Sequence, residues 1–447
     1  MTPDTVLVVG SGAREHALAW RLAQDPGVER VIVAPGNPLM SDVAEVRADV
    51  PAGDHARLKE LCLAERVALT VVGPEAPLVA GLSDVLSQAG IPCFGPSGLA
   101  ARLEGSKAFC RELCRKAGVR MAQGEAFGDP ISAVSYARRL GPPLVVKADG
   151  LASGKGVVIC HTAEEAEAAI RAALLERRFG AAGGRVVVER MLEGSEASVI
   201  ALCDGRDCLL LPAARDHKRL LDDDEGPNTG GMGAYSPVPE LGPDELRQIG
   251  RAVHVPVMAA MAARGAPFRG ALFAGLMLTG EGPRLLEFNV RLGDPEAQAI
   301  LPRLAVPLAP LLLAAARGQL RDVAAKFGVE DELVPARDEA TVALTLASRG
   351  YPDAPRAGDR VRGIDEARQE GGLVFGGGLR RRRLGGYATA GGRVLSVVGR
   401  GPDVRLAAEA AWRAAEEIQF KGRQVRTDIG MRLPREVAAA PAARGTA

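Results

Sequence analysis

Short apolar runs alternate with amphipathic stretches along the first hundred residues of the chain. Strand-length runs occur at 7–9, 31–34, 69–72 and 92–94, and helical patterns occupy 12–24, 54–65 and 78–89. A strand, helix, strand repeat of this kind predicts a parallel sheet covered by helices, which is an α/β fold. We therefore expect an N-terminal Rossmann-like domain over residues 1–103.

The pattern changes near residue 104, where strand-like runs become frequent and glycine-rich turns join them. These runs occur at 143–147, 156–160, 185–190 and 198–202, a helical stretch at 163–176 interrupts them, and 272–278 with 284–288 predict a hairpin. The density of strands predicts a second, α+β domain over 104–328. A small mixed α/β domain is expected over 329–434, and the Ala/Pro/Gly-rich residues 435–447 predict a disordered tail.

Composition and charge narrow the class of protein. Apolar residues make up 47% of the chain and charged residues 25%, which is typical of a globular protein. The formal charge of +1 argues against a nucleic-acid partner, and no apolar run reaches the roughly 20 residues of a membrane helix. Seven scattered cysteines do not suggest a disulfide framework. We expect a cytoplasmic protein, in which the arginines at 380–383 and the acidic residues at 222–225 are solvated.

The first glycine-rich turn lies in "VLVVGSGAREHALAW", residues 6–20. A dinucleotide fingerprint requires G-x-G-x-x-G, but Glu15 stands where the third glycine belongs. The second strand runs into Pro35, Gly36 and Asn37 instead of ending in the acid that binds a ribose hydroxyl. The turn therefore favours a smaller phosphate-bearing metabolite over the cofactor of a dehydrogenase.

The second glycine-rich loop is "VVKADGLASGKGVVI", residues 145–159. It is not a Walker A loop, because Gly150 and Gly154 are four apart, Lys155 precedes Gly156, and a strand-like run follows. A glycine-rich loop between two strands indicates a flap that closes over ATP, with Lys147 reaching the phosphates as a point charge. The alternative is a solvated hairpin with incidental lysines.

A third segment, "LLEFNVRLGDPEAQ" at 285–298, follows a predicted strand. Glu287 and Asn289 are two residues apart and share one strand face. Two oxygen ligands presented together suit Mg²⁺ bound jointly with nucleotide phosphates. Arg291 continues that face if the strand extends so far, and could clamp a phosphate or an acyl phosphate. The alternative is an exposed strand edge with alternating polar residues.

Taken in order, the motifs resemble those of one family. They are "GSGAREHALAW", "APGN", "VVGPEAPLVAGL", "FGPS", "LEGSKAF", "KADGLASGKGV", "RDHKR", "GPNTGGMGAYSPVP", "FAGLML", "EFNVRLGDPEAQ", "GGRVLSV" and "RTDIGMR". Over nearly its whole length the chain is similar to the glycinamide ribonucleotide synthetases, or phosphoribosylamine–glycine ligases, of the ATP-grasp superfamily. The resemblance implies an ATP-grasp domain over 104–328 with a mobile flap subdomain at about 120–193.

The resemblance also implies an activity. It is the ATP-dependent ligation of glycine to 5-phosphoribosylamine through glycyl phosphate, which yields glycinamide ribonucleotide, ADP and phosphate in purine synthesis. Phosphoryl transfer of this kind depends mainly on positioning and charge neutralisation. The implied ligands are ATP, glycine, phosphoribosylamine and Mg²⁺ or Mn²⁺, and the protein is expected to be a monomer without a nucleic-acid or membrane partner.

Site residues carry over from the family motif by motif. ATP is expected at Lys107, Lys147, Gly154, Lys155, Gly156, Glu189, Leu192 and Glu196, and the metal ion at Glu287 and Asn289. Phosphoribosylamine is expected at Gly12, Arg14, Glu15, Asn37 and Glu75, while Gly231 and Gly233 belong to the segment that holds glycine. The catalytic set is Asp216, Lys218, Arg291 and Asp294. His16 and His217 are interpreted as structural hydrogen-bonding residues.

Three positions depart from the family pattern. Leu39 replaces a usual glycine, Leu292 replaces the commoner Phe, and "GGGL" at 376–379 replaces His-Ala-Gly-Thr. We expect Leu292 to be tolerated, and any role of that His or Thr to be lost or shifted. Two alternatives stay open: an ATP-grasp ligase for another acid or amine, and a non-catalytic nucleotide-binding module. The second is expected to lack Lys147, Glu287 or Arg291, and all three are present.

Overall fold

The structure is a computed structural model that describes residues 2–151, 156–329 and 331–431. The ATP contacts expected at Gly154 and Lys155, and the tail expected over 435–447, lie outside the described residues. In the part that is described, no helix is both long and apolar enough to cross a membrane.

The N-terminal region forms a five-stranded parallel sheet, which confirms the predicted arrangement. Its strands are Thr5–Gly10 (β1), Arg30–Pro35 (β2), Glu45–Val46 (β3), Leu69–Val72 (β4) and Cys93–Phe94 (β5), and its helices are Ala13–Leu22 (α1), His55–Ala64 (α2), Glu75–Val79 (α3), Leu82–Gln88 (α4) and Gly98–Gly105 (α5). The strand order is β3-β2-β1-β4-β5. Every residue of the central β1 is buried, as expected for a parallel strand covered on both faces.

The single helix predicted over 78–89 is wrong. Helix α3 ends at Val79, and α4 begins at Leu82. Between them Gly81 adopts φ +87°, a left-handed conformation that interrupts an α-helix. The break redirects the chain, so that α3 places Glu75 at its first position, directly after β4 and Pro74.

The following segment forms an antiparallel sheet with a hydrophobic core of its own. Its elements are Lys107–Lys116 (α6), Gly124–Phe127 (β6), Pro130–Leu140 (α7), Leu144–Ala148 (β7), Val157–Cys160 (β8), Ala163–Leu174 (α8) and Val186–Arg190 (β9). The strand order is β6-β9-β7-β8. Helices α7 and α8 pack on strands β7 and β9 around Leu144, Val146 and Val188. The base of the glycine-rich loop lies between β7 and β8.

The second half of the central region carries a four-stranded antiparallel sheet. Its elements are Ser195–Asp204 (β10), Cys208–Leu210 (β11), Arg215–Asp216 (β12), Arg219–Leu221 (β13), Glu225–Asn228 (β14), Gly233–Ser236 (β15), Pro243–Ile249 (α9), Val255–Ala263 (α10), Arg269–Thr279 (β16), Gly282–Asn289 (β17), Glu296–Ile300 (α11), Leu308–Arg317 (α12) and Leu320–Ala325 (α13). The sheet order is β11-β10-β16-β17. The hairpin predicted over 272–288 is confirmed as β16–β17.

The C-terminal region completes its main sheet with strands from the central region. Its own elements are Ala340–Ala347 (β18), Arg360–Val361 (β19), Ile364–Gln369 (α14), Leu373–Gly376 (β20), Leu379–Arg381 (β21), Tyr387–Thr389 (β22), Arg393–Gly401 (β23) and Val404–Glu417 (α15). The order is β12-β15-β18-β23-β20, and β19-β22-β21 form a second small sheet. Because β12 and β15 come from residues 215–236, the segment that carries Asp216 is fixed to the C-terminal region.

Candidate active site

The first glycine-rich turn is filled by a side chain of the protein itself. Glu15 is buried, its Oε2 accepts the Gly12 N–H at 2.6 Å, and its Oε1 pairs with Arg14 Nε at 2.6 Å. A Cβ atom at Gly10 would lie 2.5 Å from Glu15 Cγ, and one at Gly73 would overlap the carboxylate. These glycines therefore make room for the Glu15 side chain. In a dinucleotide site, a pyrophosphate would need the space that this side chain fills.

Asn37 joins the N-terminal sheet to the C-terminal region. Its Nδ2 donates to the carbonyls of Ser11 at 2.9 Å and Gly376 at 2.7 Å, and its Oδ1 accepts the Leu39 N–H. His16 Nδ1 accepts the Gly376 N–H at 2.8 Å, which confirms the interpretation of His16 as a structural residue. Asn37 thus uses three hydrogen bonds to join the segments at the edge of the expected substrate site.

A cavity of about 220 Å³ lies where the three regions of the chain meet. It is lined by Ser11, Gly12 and Ala13 at the start of α1, by Asp294 and Gln298, and by Thr345, Gly377, Gly378, Arg393, Leu395 and Ser396. Among the described residues, Gln298 Oε1 and Ser396 Oγ are buried without a hydrogen-bond partner. Buried polar atoms of this kind are normally paired, so the cavity offers bonds that a polar ligand can complete.

Arg393 is a site residue that the sequence did not single out. Its Nη2 pairs with Asp294 Oδ2 at 2.9 Å, and its Nη1 donates to the carbonyls of Gly230 at 2.6 Å and Asp294 at 2.7 Å. Burial alone raises the pKa of Asp294, but Arg393 and Arg14 reverse this and hold it below its usual range. The only sequence signal was the motif "GGRVLSV", which contains both Arg393 and Ser396.

Arg291 lies just beyond β17, among carboxylates. Its Nε is 3.3 Å from Glu75 Oε2, and its Nη2 is 3.3 Å from both Glu104 Oε1 and Asn289 Oδ1. The strand ends at Asn289, so Arg291 does not continue its pleat, yet the side chain reaches the same end of the site. Burial raises the pKa of Glu104, while Arg291 pulls the pKa of Glu75 below its usual value against the effect of burial.

Strand β17 presents the expected metal ligands beside a bulge. Gly275 pairs with Glu287 and Leu276 with Leu285, which leaves Leu286 as the extra residue. Glu287 and Asn289 are partly exposed while Phe288 between them is buried, as predicted for ligands that share one face. Burial would raise the pKa of Glu287, but the charges of Lys218, Lys147, Lys107 and Arg291 keep it lowered and the group ionised.

A divalent ion fits this donor set. A carboxylate and an amide oxygen supply two hard ligands, and phosphate oxygens and waters normally complete such a site for Mg²⁺. No group of three or more His, Cys, Asp or Glu residues that could hold a metal by themselves occurs within the described ranges. The protein therefore supplies two ligands of a metal site, and the phosphates of a bound nucleotide and waters would supply the others.

Two lysines flank this strand on the side of the flap. Lys147 Nζ donates to the bulged Leu286 carbonyl at 3.1 Å and pairs with the Glu189 carboxylate, which Arg111 also binds at 3.0 Å. Lys107 begins α6 and donates to the Gly150 carbonyl at 3.3 Å. The loop base at Asp149 caps the same helix, because Asp149 Oδ1 accepts the Ala108 N–H at 2.7 Å.

Lys218 and Asp216 form the opposite wall. Lys218 Nζ pairs with Glu196 Oε2 at 2.6 Å, and although partial burial lowers the pKa of Lys218, Glu196 and Asp216 outweigh this and raise it. Burial raises the pKa of Asp216 to about 8; Lys218 opposes this shift, and Glu296, Glu196 and Glu287 reinforce it. Four acidic groups around one lysine make this wall a place where an additional cation, such as an ammonium group, gains charge stabilisation.

The other expected residues lie in or beside these walls. Leu192 lines a second cavity of about 420 Å³, between the segment after β9 and the β16–β17 turn. Gly156 accepts the Ala148 N–H at 2.7 Å across the base of the loop. Gly231 has φ +113°, and a Cβ atom there would lie 2.5 Å from Pro295 Cδ, so this glycine allows its segment to approach Asp294. A side chain at Gly233 would overlap the Ala343 carbonyl of β18.

These elements define a class of protein. A glycine-rich loop between antiparallel strands, lysines that face a carboxylate–amide pair, and a second sheet on the far side of the cleft form the ATP-grasp arrangement. The sequence matches three domains of one family, described as the phosphoribosylglycinamide synthetase N domain at 4–104, ATP-grasp (A) domain at 105–297 and C domain at 341–432. The chain belongs to the phosphoribosylglycinamide synthetase family.

Relatives and solved structures agree with this assignment. The chain is 48% identical to the phosphoribosylamine–glycine ligase of Caulobacter vibrioides (96% of this chain, 98% of the relative) and 45% identical to that of Rhizobium meliloti (97% and 100%). The crystal structure of phosphoribosylamine–glycine ligase from Thermotoga maritima has a TM-score of 0.81 at 34% identity, covering 95% of this chain and 100% of that one. Biotin carboxylase from Campylobacter jejuni, at 14% identity and TM-score 0.68 (96% and 94%), shares the fold alone.

Proposed function

We propose that the protein is an ATP-dependent phosphoribosylamine–glycine ligase that acts in purine biosynthesis. The observation that carries the proposal is the position of the interdomain cavity: Asp294 lines it, and Arg291, three residues earlier in the chain, reaches Asn289 on the strand that also carries Glu287. A sugar phosphate in the cavity would therefore lie beside the site where ATP and a carboxylic acid would react.

ATP would lie between the flap and β17. Leu192 and its cavity would receive the adenine, Glu196 the ribose, and Lys107, Lys147 and the loop around Gly156 the phosphates. Glu287 and Asn289 would hold Mg²⁺ or Mn²⁺, which neutralises phosphate charge when bound. Glu189 supports Lys147 by pairing with it and with Arg111. The site thus contains a carboxylate partner for a lysine that the phosphates would contact.

Glycine would bind on the wall formed by Asp216 and Lys218, with Gly231 and Gly233 shaping the backbone around it. Its carboxylate oxygen attacks the γ-phosphorus of ATP, ADP leaves, and glycyl phosphate forms. Arg291 would clamp the acyl phosphate. The amino group of phosphoribosylamine then attacks the glycyl carbonyl carbon, a proton is lost from nitrogen, and inorganic phosphate leaves to give glycinamide ribonucleotide.

Phosphoribosylamine would lie in the interdomain cavity. The N-terminus of α1 at Gly12 favours an anion there, and Arg393 adds positive charge on the facing wall. Arg14, Glu15, Asn37 and Glu75 would act mainly by fixing the cavity, because each already has a protein partner. We expect a cytoplasmic protein that is a monomer, and light scattering of the purified protein tests the oligomeric state.

The test is ADP release by the purified protein with Mg²⁺, ATP, glycine and phosphoribosylamine generated in the assay. Each substrate is omitted in turn, and alanine replaces glycine in a further control. Turnover that requires both substrates supports the proposal, and E287Q should abolish it while E409Q, on the distant helix α15, should not. ADP release that is unchanged without glycine, or that depends on another acid, would point to a different ATP-grasp ligase.

A further inference from the structure

A hairpin of the C-terminal region grows directly out of the wall of the interdomain cavity. We refer to residues 379–389, which comprise β21, β22 and their connecting turn, as the basic hairpin. Gly377 and Gly378 line the cavity immediately before it, and Arg393 lines the cavity four residues after it. At its base the Gly378 N–H donates to the Arg393 carbonyl at 2.9 Å, and the Ala390 N–H donates to the Gly378 carbonyl at 2.7 Å. Both strands of the hairpin therefore start at the cavity.

The basic hairpin carries an unusual concentration of charge. Residues 380–383 are four consecutive arginines, and the whole stretch 349–393 contains ten arginines and five acidic residues. Because the whole chain has a formal charge of only +1, the rest of the molecule is net acidic. The stretch that carries this net positive charge thus includes Gly377, Gly378 and Arg393 of the cavity wall.

In the part of the chain that the structure describes, the arginines of the hairpin form no ion pair with a carboxylate. Among the described residues, no acidic group lies within 4.0 Å of the guanidinium groups of residues 380–383, whereas Arg368 and Arg393 nearby are paired with Asp42 and Asp294. Arg381 donates to Ser41 Oγ at 3.3 Å, in the turn that follows Asn37, and lies over the Tyr387 ring. The side chains of Arg380, Arg381 and Arg383 are exposed. Their charge is therefore available to a ligand.

We propose that the basic hairpin captures the phosphate-bearing substrate electrostatically and directs it into the interdomain cavity. This inference rests on the proposed function, in which the cavity receives a sugar phosphate dianion. Three to five extended residues span about 10–17 Å at roughly 3.3 Å each, which is comparable to the Debye length of about 8–10 Å at physiological salt. The hairpin thus carries unpaired positive charge from the cavity wall outward to the solvent.

The experiment compares R382Q/R383Q with the unaltered protein and with K59Q/R66Q, which loses the same charge in the N-terminal region around α2. None of these four residues lines the interdomain cavity. The kcat/KM for phosphoribosylamine is measured at several NaCl concentrations, with ATP and glycine saturating. We expect R382Q/R383Q to lose about fivefold at low salt, to respond less steeply to salt, and to approach the unaltered protein at high salt. KM for ATP and glycine, and the melting temperature, should not change.

Three results would overturn the inference. An unchanged kcat/KM and salt dependence would show that the hairpin does not act on the substrate. An equal loss in K59Q/R66Q would show that net charge alone matters, and a rise in KM for ATP instead of phosphoribosylamine would assign the charge to the nucleotide. Failure of the proposed function is a separate result, because the unaltered protein would then show no turnover that depends on phosphoribosylamine.

Discussion

At the scale of single residues, two of the family departures lie in contact with each other. A Cβ atom at Gly376 would lie 2.9 Å from Leu39 Cβ and 2.8 Å from Asn37 Oδ1. Leu39 is fully buried and packs in the core of the C-terminal region. The large side chain at position 39 and the absent side chain at 376 are therefore complementary in volume. This explains how the loop accepts leucine at position 39.

This complementarity predicts coupling between the two positions. G376A should cost about 1–3 kcal/mol in the free energy of unfolding, since overpacking displaces Leu39 and Asn37. The same change in an L39G background should cost less, because one of the two close contacts is gone. Denaturant unfolding of the two single variants and the double variant measures the coupling, which we expect to exceed about 0.5 kcal/mol. Strict additivity would contradict the argument.

Arg393 yields a second prediction at this scale. R393Q removes the partner of the Asp294 carboxylate and one wall of the cavity, and hydrogen bonds to charged groups contribute about 1.5–3 kcal/mol each. We expect kcat/KM for phosphoribosylamine to fall by about 100-fold, which corresponds to about 2.7 kcal/mol. Steady-state kinetics should show KM for ATP within about twofold of the unaltered protein. R405Q, which breaks an exposed pair on α15, is the control.

At the scale of elements, one buried arginine fixes the hairpin β13–β14, which directly follows Lys218. Arg426 is only 1% exposed, pairs with Asp224 at 2.6 Å and Asp428 at 2.7 Å, and donates to the Arg219 carbonyl next to Lys218. Thr427 adds two hydrogen bonds to Asp222. The family motif "RTDIGMR" thus contacts, across about 200 residues of sequence, the segment next to the wall that would bind glycine.

Loss of this arginine should therefore affect both stability and substrate binding. R426M leaves two carboxylates without their partner, and we expect it to lower the free energy of unfolding by about 3 kcal/mol and to raise KM for glycine. T427V should have a smaller effect of about 1 kcal/mol, while T427S keeps the hydroxyl and should behave like the unaltered protein. Urea unfolding and glycine titrations at saturating ATP provide the readouts. A fall in stability with unchanged KM for glycine would confine the role of Arg426 to folding.

The elements also show what the sequence can reveal. Apolar periodicity located four of the five parallel strands and the β16–β17 hairpin, because each depends on local burial, but it missed the two-residue β3. It failed at Gly81, where one backbone conformation divides a helical pattern, and at β15, whose partner β18 lies more than a hundred residues away. The spacing of Glu287 and Asn289 correctly predicted that they share one strand face, but Thr345 and Ser396 line the cavity only through tertiary packing, which no local pattern encodes.

At the scale of the whole molecule, the cavity exists only while the three regions stay together. Asn37 and His16 join the first region to Gly376, and Arg14 Nη1 joins it to the Leu292 carbonyl at 3.1 Å. Leu292, the third departure, is buried in the same contact, as expected for a tolerated packing change. Any condition that breaks these contacts should abolish phosphoribosylamine binding before it unfolds the individual sheets.

Acid is such a condition, because His16 must stay neutral to accept the Gly376 N–H. Burial, reinforced by Arg368, lowers the pKa of His16 to about 3, against about 6.5 when unfolded. A folded-state pKa below the unfolded one means that the stabilisation is complete above pH 6.5. It is lost as the pH falls towards 3, at about 1.4 kcal/mol per pH unit.

H16Q tests this argument, because glutamine keeps an acceptor but does not titrate. Denaturant unfolding between pH 6.5 and 4.5 should show a shallower decline in the free energy of unfolding for H16Q than for the unaltered protein, by about 1.4 kcal/mol per pH unit. H161Q alters an exposed histidine and should leave the slope as it is. His254, also buried and with its pKa lowered by burial to about 4, should account for part of the decline that remains in H16Q. Equal slopes for H16Q and the unaltered protein would mean that His16 is not the acid-sensitive link between the regions.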